Sequence, residues 1–248
     1  FLPFLVVIFY SLVDNPISMN FVFLDNFRNV VQNAAFRTAV HNTAVFSAIA
    51  VPLAVVLSLL LAIVLESKLP FRSQFRTFFL SPMMVPVASI VLIWQVLFHY
   101  NGAVNDLLGV FGVEKIDWLK SSYSIIVIVI LFLWKNLGYN MILFMAALQS
   151  IPTDILEAAR IDGASTGQIF KYIQIPAIML MVDFVLFDNI RGALQVFDIP
   201  FVMTAGGPGY ASSTFTLYTI KTAFTFSNFG LAATCLLYTS PSPRDRQK

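Results

Sequence analysis

The sequence predicts an all-α protein that crosses a membrane several times. Of its 248 residues, 58% are hydrophobic and only 11% are charged, whereas a typical soluble domain carries about 25% charged residues. The hydrophobic residues are gathered in long runs, and a helix needs roughly 20 mostly apolar residues to cross a hydrocarbon core about 30 Å thick. So few charges could not cover the surface of a soluble chain of this length, so the bilayer is its expected solvent.

Charge and metal-binding residue types exclude several classes of function. The formal net charge of +2 is too small to indicate a nucleic-acid partner. The chain has a single cysteine, Cys235, which excludes an internal disulfide and a cysteine metal cluster. The two histidines, His41 and His99, are too far apart in sequence for a helical metal motif. We therefore expect neither a metal nor a cofactor.

The first two apolar segments differ in length. Residues 1–13 are too short for a crossing and are interpreted as the second half of a span whose start is missing. They have no basic leading region and no small-residue cleavage pattern, so a cleavable signal peptide is not predicted. Residues 43–65 are mostly apolar and without charge, and they predict a complete span.

The third span is predicted at residues 75–98 and contains Pro82 and Pro86. Proline removes a backbone donor and bends a helix. Neighbouring helices and hydroxyl side chains can satisfy the freed backbone groups inside a bundle. The segment is therefore interpreted as one span with a proline kink.

The fourth and fifth spans, residues 123–148 and 177–203, contain polar or charged side chains. These are Lys135, Asn136, Asn140, Asp183, Asp188 and Arg191. Charges in a membrane helix generally face a cavity or one another, and Asp188 and Arg191 are three residues apart, close enough to pair on a helix. Two interpretations remain open, a polar lining of a translocation path and a self-compensated pair at a subunit interface.

The last apolar segment, residues 229–238, has about half the length of a crossing. The chain then turns to serine, proline and charge in SPSPRDRQK. Residues 239–248 are interpreted as a non-native or disordered tail and are excluded from the fold. A membrane domain is thus predicted over residues 1–238.

Basic residues indicate the orientation of the spans. They are denser in loops 66–74 and 149–176 than in the longer loops on the other side, which places the first two loops in the cytoplasm. The basic residues on this side are Lys68, Arg72, Arg76, Arg160 and Lys171.

Residues 149–176, QSIPTDILEAARIDGASTGQIFKYIQIP, predict a helical hairpin between two spans. Asp154 with Glu157 three residues later is typical of a helix start, and Gly163 stands where a glycine would end that helix. Ser165 with Gln168 matches a capping box, Ser-x-x-Gln, at the start of a second helix.

The second helix of this segment is predicted to have an apolar face. Its members stand at helical spacing and are Ile169, Tyr172 and Ile173. Pro176 is expected to begin the next span, where its missing N–H has little consequence. The alternative for the whole segment is a solvated connector, although connectors are usually shorter and less ordered by their own caps.

The same residues resemble a known family. EAARIDGAS followed by IQIP resembles the EAA loop of ABC importer permeases, which has Glu-Ala-Ala, a glycine six residues after the glutamate, and an apolar-x-apolar-Pro ending. WKNLGYNMILFMAALQSIP is similar to the helix before that loop. QVFDIPFVMTAGGPG is similar to the end of the next helix and the external turn of maltose-type sugar permeases, in the first of their two unlike permease subunits.

The resemblance implies a six-helix permease core of the type I ABC importer kind, here with its first and sixth helices incomplete. It also implies a place in the bacterial inner (plasma) membrane and four partners. These are a second permease subunit, a cytoplasmic ABC ATPase dimer, an extracytoplasmic solute-binding protein and a sugar or related polyol as substrate. We call residues 149–176 the coupling segment, because in such importers the EAA loop docks into a groove on the ATPase.

Two sets of site residues follow from the resemblance. The residues implied to dock on the ATPase are Glu157, Ala158, Ala159, Asp162 and Gly163. The residues implied to line the substrate path are Tyr139, Asn189, Gly192, Ala193 and Val196. The last four of these have i, i+3, i+4, i+7 spacing and are expected to share one helix face. The chain has no Gly-x-x-x-x-Gly-Lys-Ser/Thr phosphate loop, so it is not expected to be an enzyme.

Three alternatives remain open. An importer permease for polyamines, phosphate or metal oxyanions is disfavoured by VMTAGGPG and by the mostly neutral path residues. An ion-coupled secondary transporter, with Asp183 or Asp188 as proton carrier, would work without an ATPase but leaves the EAA loop unexplained. A membrane-embedded enzyme would need a paired metal motif or a nucleophile constellation, and the sequence offers neither.

Overall fold

The computed structural model describes residues 2–14, 18–66 and 71–239. Within these ranges the chain is helical, with turns and an isolated antiparallel bridge between Val13 and Phe21. The predicted all-α class is confirmed. In chain order the helices are α1 Leu2–Ser11, α2 Asp25–Gln32, α3 Ala34–Glu66, α4 Arg72–Met84, α5 Val87–Leu97, α6 Ala103–Val110, α7 Ser124–Gln149, α8 Thr153–Ile161, α9 Thr166–Ile169, a π-helical turn Phe170–Gln174, α10 Ile175–Ala177, α11 Met179–Leu194, α12 Asp198–Thr204, α13 Phe215–Phe224 and α14 Phe229–Thr239.

Helix α7 is the centre of the fold and packs against α3, α4 and α11. Among the described residues, α3 and α7 are the two continuous helices that are long and apolar enough to cross a membrane. With 33 residues, α3 is about 50 Å long. The contact of α7 with α4 is very close at Gly138, where a Cβ atom would overlap the carbonyl oxygen of Phe79 and lie 2.9 Å from the backbone nitrogen of Leu80.

Two apolar clusters hold the helices around α7. One joins α3, α5, α7 and α12, and its buried members include Phe46, Val91, Ile128, Leu131 and Met203. The other joins α3, α7 and α11, and its buried members include Val55, Met141, Phe144, Met145 and Val185. Lipid tails are as apolar as these side chains, so close van der Waals packing holds such helices together in a bilayer.

The third predicted span is broken more sharply than a proline kink. Helices α4 and α5 meet at 102°. Val85 has φ −88° and ψ 135°, and Pro86 has φ −55° and ψ 135°. A residue before proline is pushed out of the helical region by the ring, and here Pro86 is also extended, so the helix stops completely before it restarts at Val87.

A second sharp bend separates the coupling segment from the fifth predicted span. The helical stretch from Thr166 to Ala177 meets the stretch from Met179 to Thr204 at 67°. Pro176 lies in the first turn of the three-residue helix α10, so it does not begin the long helix, which starts at Met179. If each bent pair is one span, the described residues contain up to four spans by length and composition.

The two short terminal helices, α1 and α14, pack against each other. The chain just after α1 also approaches α14 closely at Gly230, where a Cβ atom would lie 2.9 Å from the carbonyl oxygen of Asp14. Asn26 Nδ2 fixes the end of α1 by donating to the carbonyl oxygens of Ser11 and Val13 at 3.0 and 2.8 Å. Thr239, the first residue of the predicted tail, belongs to α14. Residues 240–248 lie outside the described part of the chain.

Near its N-terminal end, α3 is hydrogen-bonded to the glycine-rich turn between α12 and α13, residues 205–214. Asn42 Nδ2 donates to the carbonyl oxygens of Tyr210, Ala211 and Ser213 at 2.8, 3.2 and 3.1 Å. A single amide group therefore fixes a large part of this turn to the helix.

The other end of α3 is tied to α4 and α7. Glu66 Oε2 accepts hydrogen bonds from Arg72 Nη2 at 2.8 Å and from Gln149 Nε2 at 3.0 Å. Gln149 is the last residue of α7. One carboxylate thus joins three helix ends directly beside the coupling segment.

Candidate coupling segment and polar cavity

Helix α8 is the first half of the coupling segment. It starts at Thr153 after Pro152, and no side chain caps its first turn. The helix start predicted from Asp154 and Glu157 is thus confirmed to within one residue, although neither side chain caps it. Asp154 instead lies inside the first turn, where a negative charge favours a helix through its interaction with the helix dipole.

The end of α8 is a Schellman motif, in which two backbone bonds close the last turn. The N–H of Ala164 donates to the carbonyl of Ala159 at 3.0 Å, and the N–H of Gly163 donates to that of Arg160 at 3.1 Å. Gly163 has φ +84°, in the left-handed region that favours glycine. The predicted helix end at Gly163 is confirmed.

The second half of the coupling segment begins with the predicted capping box, which is confirmed. Gln168 N donates to Ser165 Oγ at 3.4 Å, and Ser165 N donates to Gln168 Oε1 at 2.8 Å. Backbone donors that a helix start leaves unpaired are satisfied in this way.

The predicted apolar face of the second helix is only partly right. Ile169 is buried and Ile173 is half-buried, but Tyr172 is 67% exposed. The reason is the π-helical turn Phe170–Gln174, whose i→i+5 bonds change the number of residues per turn. With more residues per turn, Tyr172, three positions after Ile169, rotates away from the buried face, whereas Ile173, four positions after Ile169, stays near it.

Removal of the cap should loosen the start of α9. We expect Ser165→Ala to weaken this helix start by about 1 kcal/mol, so amide hydrogen exchange at Gln168, whose N–H donates to the Ser165 hydroxyl, should become about fivefold faster. Mass-spectrometric exchange on the purified protein measures this effect. Ser150→Ala is the matched control, because Ser150 Oγ donates to the Ala147 carbonyl and caps no N–H. Equal exchange in both variants would contradict the assigned cap.

The predicted docking residues lie together in α8 and its C-terminal turn. Four of them are exposed and one, Ala159, is half-buried; the exposed residues are Glu157, Ala158, Asp162 and Gly163. Ile161 is also 86% exposed, beside a shallow cavity of about 340 Å³ that Asp162 and Gly163 help to line. In contrast, Leu156 packs against the cluster of α3, α7 and α11. The segment thus has one side fixed to the core and one side open.

A polar cavity lies between α5, α7, and the junction of α11 with α12. Its volume is about 220 Å³, and its lining residues are Val87, Phe132, Lys135, Asn136, Gly192, Gln195, Val196, Phe197, Asp198 and Ile199. Lys135 and Asp198 bring opposite charges to this cavity, and neither forms an ion pair within the described residues. Charged, amide and aromatic groups therefore line one small space.

The residues predicted for the substrate path do not all meet at this cavity. Gly192 and Val196 line it, whereas Ala193 is buried in the cluster of α3, α5, α7 and α12. Tyr139 is half-buried and is not among the lining residues. Asn189 is buried, and its side chain joins α11 to α7. The four predicted positions do not share one face, because α11 ends at Leu194, before Val196.

The side chain of Asn189 has its hydrogen bonds inside the helix bundle. Its Nδ2 donates to the Val185 carbonyl at 2.8 Å, and its Oδ1 accepts from Asn140 Nδ2 at 3.1 Å. Sequence reasoning missed Asp198 as a cavity residue. Lys135 and Asn136 gave a signal as polar residues in an apolar span, and Gln195 gave one by its position beside Val196.

The predicted pairing of Asp188 with Arg191 is confirmed. Arg191 Nη2 donates to Asp188 Oδ1 at 2.8 Å. The side chain of Arg191 is 56% exposed and that of Asp188 is 30% exposed, so the pair lies at the surface of the described fold, and neither residue lines the polar cavity. Asp183 is exposed as well, and no described residue pairs with it.

Comparisons with known proteins agree with this geometry. Residues 54–241 match the family described as binding-protein-dependent transport system inner membrane component. The chain is 35% identical over 212 residues to the trehalose/maltose transport system permease protein MalF of Thermococcus litoralis, covering 85% of this chain and 70% of that protein. It is 32% identical over 225 residues to the sulfoquinovosyl glycerol transport system permease protein SmoG of Agrobacterium fabrum, covering 90% of this chain and 73% of that protein.

A solved structure has the same fold. It is the crystal structure of a bacterial ABC transporter involved in the import of the acidic polysaccharide alginate. The TM-score is 0.85 at 19% identity, over 96% of this chain and 84% of that chain. The sequence prediction of an ABC importer permease subunit is confirmed. This chain belongs to the binding-protein-dependent transport system inner membrane component family.

Proposed function

We propose that this chain forms, with a second permease subunit, the path by which a sugar or polyol enters a bacterial cell through the plasma membrane. A cytoplasmic ATPase dimer drives the transport, and an extracytoplasmic solute-binding protein delivers the substrate. The observation that carries this proposal is the coupling segment, which is internally capped, anchored to the core on one side and exposed on the other. The membrane domain of the proposal is residues 1–238.

The coupling segment is suited to transmit a movement of the ATPase. The docking residues are proposed to be Glu157, Ala158, Ala159, Asp162 and Gly163. Small residues and a glycine turn let another backbone approach closely, and the exposed carboxylate of Glu157 can accept hydrogen bonds from the ATPase surface. Leu156 packs against the apolar cluster of α3, α7 and α11, and Ile178 belongs to it, so a movement of α8 is transmitted to the long helices.

The polar cavity is proposed to be part of the substrate path. Lys135 can donate to a sugar hydroxyl and Asp198 can accept from one, while Phe132 and Phe197 offer apolar ring faces. Similarity to permeases named for trehalose/maltose and for sulfoquinovosyl glycerol supports a carbohydrate substrate. Of the sequence-predicted path residues, Gly192 and Val196 belong to this wall.

The remaining residues predicted for the substrate path are proposed to pack behind the residues that line the polar cavity and to hold them in position. Asn189 and Ala193 are buried in the packing of α11, and Tyr139 is half-buried on α7. ATP hydrolysis is assigned to the partner ATPase, because the chain has no phosphate-binding loop pattern. The chain itself is therefore proposed to be a permease and not an enzyme.

Reconstitution tests the proposal and the role of the cavity together. The full-length protein is co-expressed with the neighbouring permease and ATPase and placed in liposomes, and sugar uptake is measured with the loaded binding protein. We expect ATP-dependent uptake, and we expect Lys135→Ala to lower it at least tenfold, since a hydrogen bond to a charged group contributes about 1.5–3 kcal/mol. The matched control is Lys120→Ala, an exposed lysine outside the cavity.

Two outcomes would overturn these assignments. Uptake that needs an ion gradient but no ATPase would favour the ion-coupled transporter over the importer. Equal uptake by Lys135→Ala and Lys120→Ala would leave the importer in place but remove the cavity from the substrate path.

A further inference from the structure

Helix α6 has its polar side chain inside the protein and its apolar side chains outside. Asn105 is buried, whereas Leu107, Val110 and Phe111 are 64%, 79% and 77% exposed. These three stand at i, i+3 and i+4, so they lie on one side of the helix and its end. Val113 follows directly and is also exposed. We call Leu107, Val110, Phe111 and Val113 the α6 apolar face.

The orientation of α6 is fixed by the side chain of Asn105. Its Nδ2 donates to the carbonyl oxygens of Tyr100 and Ile116 at 2.9 and 2.7 Å. Its Oδ1 accepts from the Ile116 N–H at 3.2 Å and from Trp118 Nε1 at 2.9 Å. One buried amide thus joins α6 to the chain before it and after it. The α6 apolar face is therefore held outward and cannot turn into the protein.

The neighbouring helices hold α6 close to the level at which the chain leaves the membrane. Residues 98–102 are all that separate α5, half of a bent candidate span, from α6, and residues 111–123 lead into α7, a complete candidate span. The predicted orientation places this connection on the outer side. Tryptophan and tyrosine favour the membrane–water interface, and this connection contains Tyr100, Trp118 and Tyr123.

The charges around α6 give a protein partner little to recognise. Asp106, beside the α6 apolar face, has Lys115 Nζ at 4.0 Å, and the same Nζ donates to Asn101 Oδ1 at 3.1 Å. Residues 98–123 contain three carboxylates and two lysines, a net charge of −1. Reversible protein interfaces are about as polar as the rest of a protein surface, whereas lipid chains need no polar partner.

We propose that α6 lies in the outer membrane–water interface, with the α6 apolar face inserted about 5–10 Å into the boundary between lipid headgroups and acyl chains. The proposal goes beyond the proposed function and requires only that α5 and α7 span the membrane. It gives α6 the role of an anchor for the outer end of α5. The ring of Phe98, directly after α5, contacts that of Trp118 at 5.8 Å between centroids, and Trp118 is held by Asn105.

Quenchers carried by lipid test the insertion directly. The full complex is prepared with Cys235→Ala and without other cysteines, and Phe111→Cys carries a fluorescent label. In phosphatidylcholine vesicles we expect lipids with a nitroxide near the headgroup to quench about half of the fluorescence, and lipids with a nitroxide at the chain end to quench less. The matched control is Ile161→Cys, an 86% exposed residue of α8, which should keep its signal.

Three results of this experiment would overturn the inference. Fluorescence from Phe111→Cys that neither nitroxide lipid quenches would place the α6 apolar face outside the lipid. Shielding of an unquenched label from aqueous iodide by the loaded binding protein or the second permease would assign the face to that protein. Quenching that requires added anionic lipid would contradict insertion driven by apolar side chains.

A second experiment asks whether the apolar side chains cause the insertion. With the label at Val110→Cys, the double variant Leu107→Ser and Phe111→Ser should lose most of the quenching by the shallow nitroxide. Ala103→Ser, at an exposed position of the same helix, should keep it. The hydrogen bonds of Asn105 lie on the buried side, so we expect these variants to fold. Equal quenching in both variants would overturn the inference.

These tests separate the inference from the proposed function. ATP-dependent uptake by a complex whose Phe111→Cys label is not quenched would leave the importer intact and remove only the lipid contact of α6. A quenched label in a complex that shows no ATP-dependent uptake would contradict the proposed function and leave the lipid contact of α6 in place.

Discussion

Replacing Gly138 by alanine is expected to stop the membrane domain from folding normally. The added Cβ atom would overlap the carbonyl oxygen of Phe79 and come within 2.5 Å of its carbonyl carbon and 2.9 Å of the Leu80 nitrogen. These are backbone atoms of α4, so a side-chain rotation cannot relieve the overlap. Overpacking in a well-packed core lowers the free energy of unfolding by about 1–3 kcal/mol, occasionally more, and a backbone overlap belongs at the upper end.

Size-exclusion chromatography of detergent extracts, with the thermal unfolding midpoint, measures the effect of Gly138→Ala. The matched control is Gly109→Ala in α6, where no atom lies within 4 Å of the new Cβ. We expect the control to behave as wild type and Gly138→Ala to give little monodisperse protein. A normal yield and midpoint for Gly138→Ala would mean that α4 and α7 are farther apart than the structure has them.

Replacing Gly163 by valine is expected to uncouple ATP hydrolysis from transport. A β-branched residue at φ +84° is strongly disfavoured, and such strain costs about 1–3 kcal/mol. The Schellman motif that sets α8 against α9 would open, so the exposed residues of α8 would lose their fixed position. We expect stimulation of ATP hydrolysis by the loaded binding protein to fall at least tenfold in the reconstituted complex.

Two further variants separate backbone conformation from the mere presence of a side chain. Asparagine tolerates the left-handed region better than valine does, so Gly163→Asn should keep much of the stimulation. Gly167→Ala is the matched control in the same segment, because its Cβ would have no atom within 4 Å and the position has no positive φ. If Gly163→Val and Gly163→Asn lose equal activity, the added bulk at the docking surface is the cause and the strain argument fails.

The structure of the coupling segment is the part of the fold that the sequence predicts best, because the patterns that determine it are local. A glycine at a left-handed turn and a Ser-x-x-Gln capping box each depend on residues within a few positions of one another, and Gly163 and Ser165 act as predicted. The exposure of Tyr172 could not be predicted from the sequence, because the π-helical turn before Pro176 leaves no pattern in the spacing of hydrophobic residues. A change of helix type alters the face of every later residue.

The polar cavity depended on tertiary structure and was only partly predictable. Val196 was placed on a helix face by its spacing, but it reaches the cavity because α11 ends at Leu194 and the chain turns. Asp198 reaches the same space from the first turn of α12. The break between α4 and α5 was underestimated for a related reason, since the sequence shows two prolines but not the extended backbone at Val85 and Pro86.

The hydrogen bonds at the two ends of α3 make this helix a mechanical link. Asn42 holds the glycine-rich turn at one end, and Glu66 holds α4 and α7 at the other, about 36 Å away for 24 helical residues. A helix resists stretching along its axis. A displacement of the turn is therefore expected to be transmitted along α3 to Gln149 and the coupling segment. Helix α3 therefore connects the glycine-rich turn to the coupling segment through one amide group and one carboxylate.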